Sequence, residues 1–136
     1  MPKGELAVGA SGIATRVVQE SDLASKLAAE PGDSFPATLS TTRLVAMVEL
    51  AASRALRPIL EKGEASVGIA LSLQHLAPTP QGTSLRARAR FTGRDGEAYA
   101  FEVLVEDEGG EIGRAEHRRI VVEAAKWVDT ARRRQG

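Results

Sequence analysis

Three side chains have the types and the surroundings for acid–base chemistry: Thr41, Glu49 and His75. Glu49 sits among Leu44, Val45, Met47, Val48, Leu50 and Ala51. A carboxylate in such company needs a partner, because burying it alone costs roughly several kcal/mol. His75 lies in SVGIALSLQHLAP (66–78), where an alternating pattern puts it on the apolar face with Val67, Ile69, Leu71 and Leu73. An imidazole and a carboxylate meeting in a poorly hydrated place form a natural acid–base pair, the carboxylate fixing the ring's tautomer and stabilising its charged form. The plain alternative is two unrelated polar residues, each satisfied by backbone. Ser40, Thr41 and Thr42 open the segment that carries Glu49, and a hydroxyl there usually caps a helix. Thr42 is two turns from Glu49 and close to its face, whereas Thr41 is about 80° away if the helix has begun. Spacing leaves both threonines open. The second histidine, His117, lies among Arg114, Glu116, Arg118 and Arg119 and reads as a solvated strand residue.

The element that must carry Glu49 is STTRLVAMVELAASRALRPILEKG (40–63), in which Leu44, Met47/Val48, Ala51, Ala55/Leu56 and Ile59 recur at helical spacing. Pro58 kinks its last turn and Gly63 suits a left-handed stop. Ala51, Ala52 and Ala55 leave room for another surface to approach the helix backbone. Ahead of it, 13–20 reads as a strand, 21–28 as a short helix, and the Pro-flanked 30–40 as a loop holding Phe35. After Gly63 the period changes to 2 in 66–78, 83–92, 97–108 and 111–123, joined by short Gly-rich connections that predict an antiparallel meander. A C-terminal helix follows, and residues 1–12 and 131–136 are expected to lie loosely. One long amphipathic helix and a five-stranded antiparallel sheet satisfy each other's apolar faces, an α+β arrangement of the hotdog type in a single domain, 1–136.

Eighteen basic residues balance eighteen acidic ones, so no global field recruits nucleic acid or an anionic membrane. Without cysteine there is no thiolate nucleophile and no cysteine-ligated metal, and no His-rich spacing suggests another metal site. No apolar run is long enough to span a bilayer, and no signal-peptide pattern opens the chain; the expectation is a cytoplasmic protein.

The stretch SFPATLSTTRLVAMVELAASRALRPILEKGEASVGIALSLQHLAPTP (34–80) and, more weakly, EIGRAEHRRIVVE (111–123) resemble the fluoroacetyl-CoA thioesterase branch of the hotdog thioesterases. The resemblance implies Thr41 as the catalytic threonine, Glu49 as the carboxylate and His75 as the histidine. It sets Gly68 at the glycine lining the thioester site and Phe35 at an aromatic lid. It also implies an acyl-CoA substrate, no cofactor beyond the CoA of that substrate, and a homodimer with interfacial sites. VELAAS lacks an aromatic after Glu49, and Thr42-Arg43 replaces smaller, apolar residues, so fluoroacetyl specificity does not transfer. The expected activity is hydrolysis of a small or medium acyl-CoA. The rivals are a 3-hydroxyacyl thioester dehydratase or hydratase, which needs no threonine, and a non-catalytic acyl-CoA binding module.

Overall fold

A computed structural model describes residues 5–136. Strand β1 (Ser11–Val17) leads through two 3-10 turns, Glu20–Asp22 and Ala24–Leu27, to helix α1 (Thr41–Leu56) and a closing 3-10 turn, Arg57–Ile59. Strands β2 (Glu64–His75), β3 (Ser84–Asp95), β4 (Ala98–Asp107) and β5 (Gly110–Glu123) follow, then helix α2 (Ala124–Arg133). The α+β hotdog arrangement expected from the two periodicities is what forms: one antiparallel sheet packs its apolar face on α1.

Helix α1 begins where the Ser40 hydroxyl accepts from the Arg43 amide at 3.0 Å. It gives way to 3-10 geometry at Arg57, just before Pro58 and earlier than the expected end near Gly63. Its small residues serve the predicted close approach: Gly12 of β1 lies against the backbone of Ala51 and Ala55, where a Cβ would collide. Ser11 and Gly12, placed in the loose N-terminus by the sequence reading, thus belong to the packed sheet, and Gly9 donates to the Phe91 carbonyl at 2.9 Å. The expected short helix at 21–28 is instead interrupted by Leu23, which is extended and bridges to Leu39.

The strand order is β1-β3-β4-β5-β2. Strands β3, β4 and β5 form the predicted meander, but β2 pairs with β5 and stands at the sheet edge. The link from β2 to β3 holds Pro78 and Pro80 and cannot close a tight hairpin. It crosses to the other edge instead, bonding to Leu39 through the Thr79 carbonyl and to Val18 through Thr83 and Gly82.

Asp22, 1% exposed, ties the front of the molecule together. Its carboxylate takes Arg16 Nε at 2.7 Å, Arg43 Nε at 2.9 Å and the Gln19 amide at 2.9 Å. Burial pushes its pKa up, but these donors outweigh burial and hold it below the ordinary aspartate value. Since Arg43 is in the first turn of α1, this cluster fixes the end of the helix that presents Thr41.

Candidate active site

With Ser40 as the cap, Thr41 is the first helical residue and its hydroxyl is free to turn outward. It meets the last residue of β2: Thr41 Oγ1 and His75 Nδ1 are 2.9 Å apart. The other ring nitrogen, His75 Nε2, is buried and has no hydrogen-bond partner among the described residues. Of the two threonines left open by spacing, Thr41 is the one that makes this contact with His75.

Glu49 does not bond to His75 in the same chain. It lies eight positions along α1 from Thr41, about 12 Å at 1.5 Å per residue. Its carboxylate faces Gly68 of β2 and Arg119 of β5, with Arg119 Nη1 donating to Oε2 at 3.4 Å. Its surroundings on the helix are apolar as expected, yet the side chain itself is 46% exposed, so the carboxylate is a rim group rather than a buried one. A Cβ on Gly68 would stand 2.6 Å from Glu49 Oε2 and 3.0 Å from the His117 ring.

An irregularity in β2 brings these groups to one face. Gly68 pairs with Arg119 and Ala70 with Arg118, so Ile69 is an extra residue, a β-bulge. Gly68 and His75 differ by an odd number of positions and would face opposite sides of a regular strand. After the bulge, Leu71, Leu73 and His75 pair with His117, Ala115 and Gly113, the helix-facing positions of β5. The sequence reading placed Val67 and Ile69 on the face of His75; the bulge separates them, and Gly68 takes that face instead.

His117 is the other correction. It is 2% exposed, not solvated. Arg114, Glu116 and Arg118 supply the wet face of β5, which leaves Ala115, His117 and Arg119 for the inner one. Within that alternation was the signal for both His117 and Arg119, and the surrounding charges hid it. His117 Nδ1 lies 2.8 Å from the Ala70 carbonyl and Nε2 3.0 Å from Arg119 Nη1. Burial, and then the Arg119 charge, push the His117 pKa down, against the opposing influence of the Ala70 bond and Glu49. Burial likewise lowers Arg119, with Glu49 opposing.

Residues 18–125 match the model of a family described as fluoroacetyl-CoA-specific thioesterase. The chain belongs to this family. A fluoroacetyl-CoA thioesterase of Streptantibioticus cattleyicolor is 34% identical over 93 residues, covering 68% of this chain and 67% of that protein. A solved fluoroacetyl-CoA thioesterase superposes with a TM-score of 0.88 at 29% identity, covering 96% of this chain and 98% of the other. A Thermus thermophilus thioesterase superfamily member shares the fold, with a TM-score of 0.86 at 24% identity over 96% and 94% of the two chains.

In this member of the fluoroacetyl-CoA-specific thioesterase family, Phe35 is 49% exposed in the loop before α1. That loop is drawn back on the 3-10 turns by the Ala24 and Ser25 amides, which donate to Thr38 and Pro36. No helix among the described residues is long and apolar enough to cross a membrane.

Proposed function

We propose that the protein hydrolyses a small or medium acyl-CoA to the free acid and CoA, using Thr41, His75 and Glu49 in a site shared between two copies. The observation that carries this reading is the 2.9 Å approach of Thr41 Oγ1 to His75 Nδ1, a nucleophile beside its base. The Thr41 hydroxyl donates to Nδ1. Its oxygen attacks the thioester carbonyl, the proton passes to His75, and the C–S bond breaks as the ring returns the proton to the departing sulfur. Water then hydrolyses the acyl-threonine, with His75 again taking and returning a proton. Gly68 has no side chain to hold off the thioester, and Arg119 beside it supplies positive charge near a developing oxyanion.

Support for the acyl-CoA class comes from the family match and from a solved family variant of 30% identity in complex with fluoroacetate and CoA. The dehydratase alternative leaves the threonine contact without a purpose.

The homodimer reading rests on β2. It is an edge strand with an unpaired side, and Ile69, Leu71 and the nearby Leu50 are 50%, 38% and 40% exposed. An open apolar edge of this kind pairs readily with its own copy. Antiparallel pairing centred on Ser72, with Ile69 as the extra residue, sets His75 across from the partner's Gly68. The partner's Glu49, which lies against its own Gly68, then joins the Thr41–His75 pair in a Thr–His–Glu relay.

Following free thiol release from short, branched and aryl acyl-CoAs tests the activity. We expect turnover of at least one class, and a folded dimer that binds acyl-CoA without releasing thiol would contradict it. Thr41→Ala abolishes turnover if the threonine is the nucleophile; measurable residual hydrolysis would make it a residue that positions water.

A further inference from the structure

His117 has no part in the relay above, yet it is buried and bonded at both ring nitrogens. The Ala70 carbonyl can only accept, so Nδ1 carries the proton. Nε2 is therefore bare and accepts from Arg119 Nη1, which is itself always a donor. The tautomer follows from the two partners. Arg119 in turn donates through Nε to the Ser66 hydroxyl and through Nη2 to the Ser66 carbonyl, both at 2.9 Å. Two neighbouring side chains of β5 thus grip β2 on either side of the extra residue: Arg119 before Ile69, at Ser66, and His117 after it, at Ala70.

That bulge decides whether Gly68 shares a face with His75, and Arg119 is the cation beside Glu49. We propose that His117 is a positioning residue for the site: in its neutral Nδ1–H form it clamps the bulge in β2 and aims Arg119 at Glu49. The inference deepens the thioesterase reading and rests on it for its catalytic consequence.

Charged groups face His117 from two elements, Arg119 beside it on β5 and Glu49 on α1. From β4 come Phe101 across the pair and the Tyr99 phenol, which accepts from Arg94. From β2 come only Gly68, Ala70 and Leu71. A proton on Nε2 would point an N–H at the Arg119 guanidinium and put two cations in contact. The Arg119–His117 bond then breaks, and Arg119 loses one of the contacts that orient it toward Glu49.

Nitrogen-resolved NMR of the wild-type imidazoles tests the clamp without reference to activity. The expected result is a His117 with the proton on Nδ1 at neutral pH, and amides of Ser66, Gly68 and Ile69 that shift along the curve on which His117 protonates. A proton on Nε2 at neutral pH, or a titration that leaves those amides unmoved, overturns the proposal. Kinetics test the consequence. In a folded His117→Phe protein, kcat should fall by about tenfold or more while KM changes little, the pattern of a misplaced catalytic group. His117→Asn keeps an amide N–H near the place of Nδ1 and should recover part of that loss; wild-type kcat in both variants would contradict the role. If the Phe variant does not fold, the wild-type NMR result decides. Failure of the wild type to hydrolyse any acyl-CoA would undo the thioesterase reading and leave the NMR test of the clamp standing.

Discussion

The two ends of the site are built in opposite ways. At one end, Thr41 and His75 meet through a single bond between a helix start and a strand end, and among the described residues no charged group bonds to either and one ring nitrogen has no partner. At the other, Glu49, Arg119, His117, Ser66 and the Ala70 carbonyl form a connected net around Gly68. The first end has a hydroxyl and an imidazole and, among the described residues, no anion bonded to them. The second has an anion held by a cation, and no nucleophile. Each end supplies what the other lacks, and the open edge of β2 is where two copies would bring them together.

The largest expected effect falls on the reactive end. His75→Ala should lower kcat on the order of a hundredfold or more, the usual scale for a general base, with the fold intact. The same substitution at wild-type rate would make the Thr41–His75 contact structural. Next comes the net end: a Cβ in Gly68→Ala displaces the Glu49 carboxylate, and we expect kcat to fall roughly tenfold with little change in Tm. If Gly68→Ala lowers stability and leaves kcat alone, the net is packing and not catalysis.

Acid sharpens the contrast, because the net end contains His117, a group whose protonation opposes folding. The His117 pKa is lowered in the folded state, so the unfolded chain binds more protons and stability falls as pH drops below about 6.5. Asp22 behaves in the same direction at lower pH: its contribution is present above the ordinary aspartate value of about 3.9 and is lost as pH falls through its depressed folded value. Denaturation followed against pH should therefore show loss of stability beginning near His117's unfolded value, and His117→Phe should remove that first loss while leaving the Asp22 one. The smallest effect belongs to Phe35, whose exposure leaves little to lose on folding. Phe35→Ala should leave Tm within error and alter the preference among acyl chains; an unchanged acyl profile would remove it from the acyl pocket.

Much of this was legible from residue spacing alone. The helix around Glu49 and the alternation of Leu85, Ala87, Ala89 and Phe91 against three arginines are direct consequences of the 3.6 and 2 periods. The bulge at Ile69 was not, since one extra residue in an apolar strand leaves the alternation looking continuous while it exchanges the two faces. The crossing of β2 to β5 was obscured because period-2 runs do not name their partners; the prolines at 78 and 80 were the available warning. The expected contact between Glu49 and His75 does not occur inside one chain, because the helix separates Glu49 from the His75 end by two turns. His117 was hidden by charged neighbours that share its strand but not its face.

The central claim is that Thr41 and His75 of one copy work with Glu49 of the other, and mixing two inactive variants tests it directly. His75→Ala and Glu49→Gln chains, each purified as an inactive homodimer, are unfolded together and refolded in equal amounts. With random pairing half of the dimers are mixed, and each mixed dimer holds one site with both lesions and one with neither, so about a quarter of the wild-type turnover should return. A mixture that forms mixed dimers and stays as inactive as its parents would contradict the account, because sites confined to one chain can never be repaired by the other.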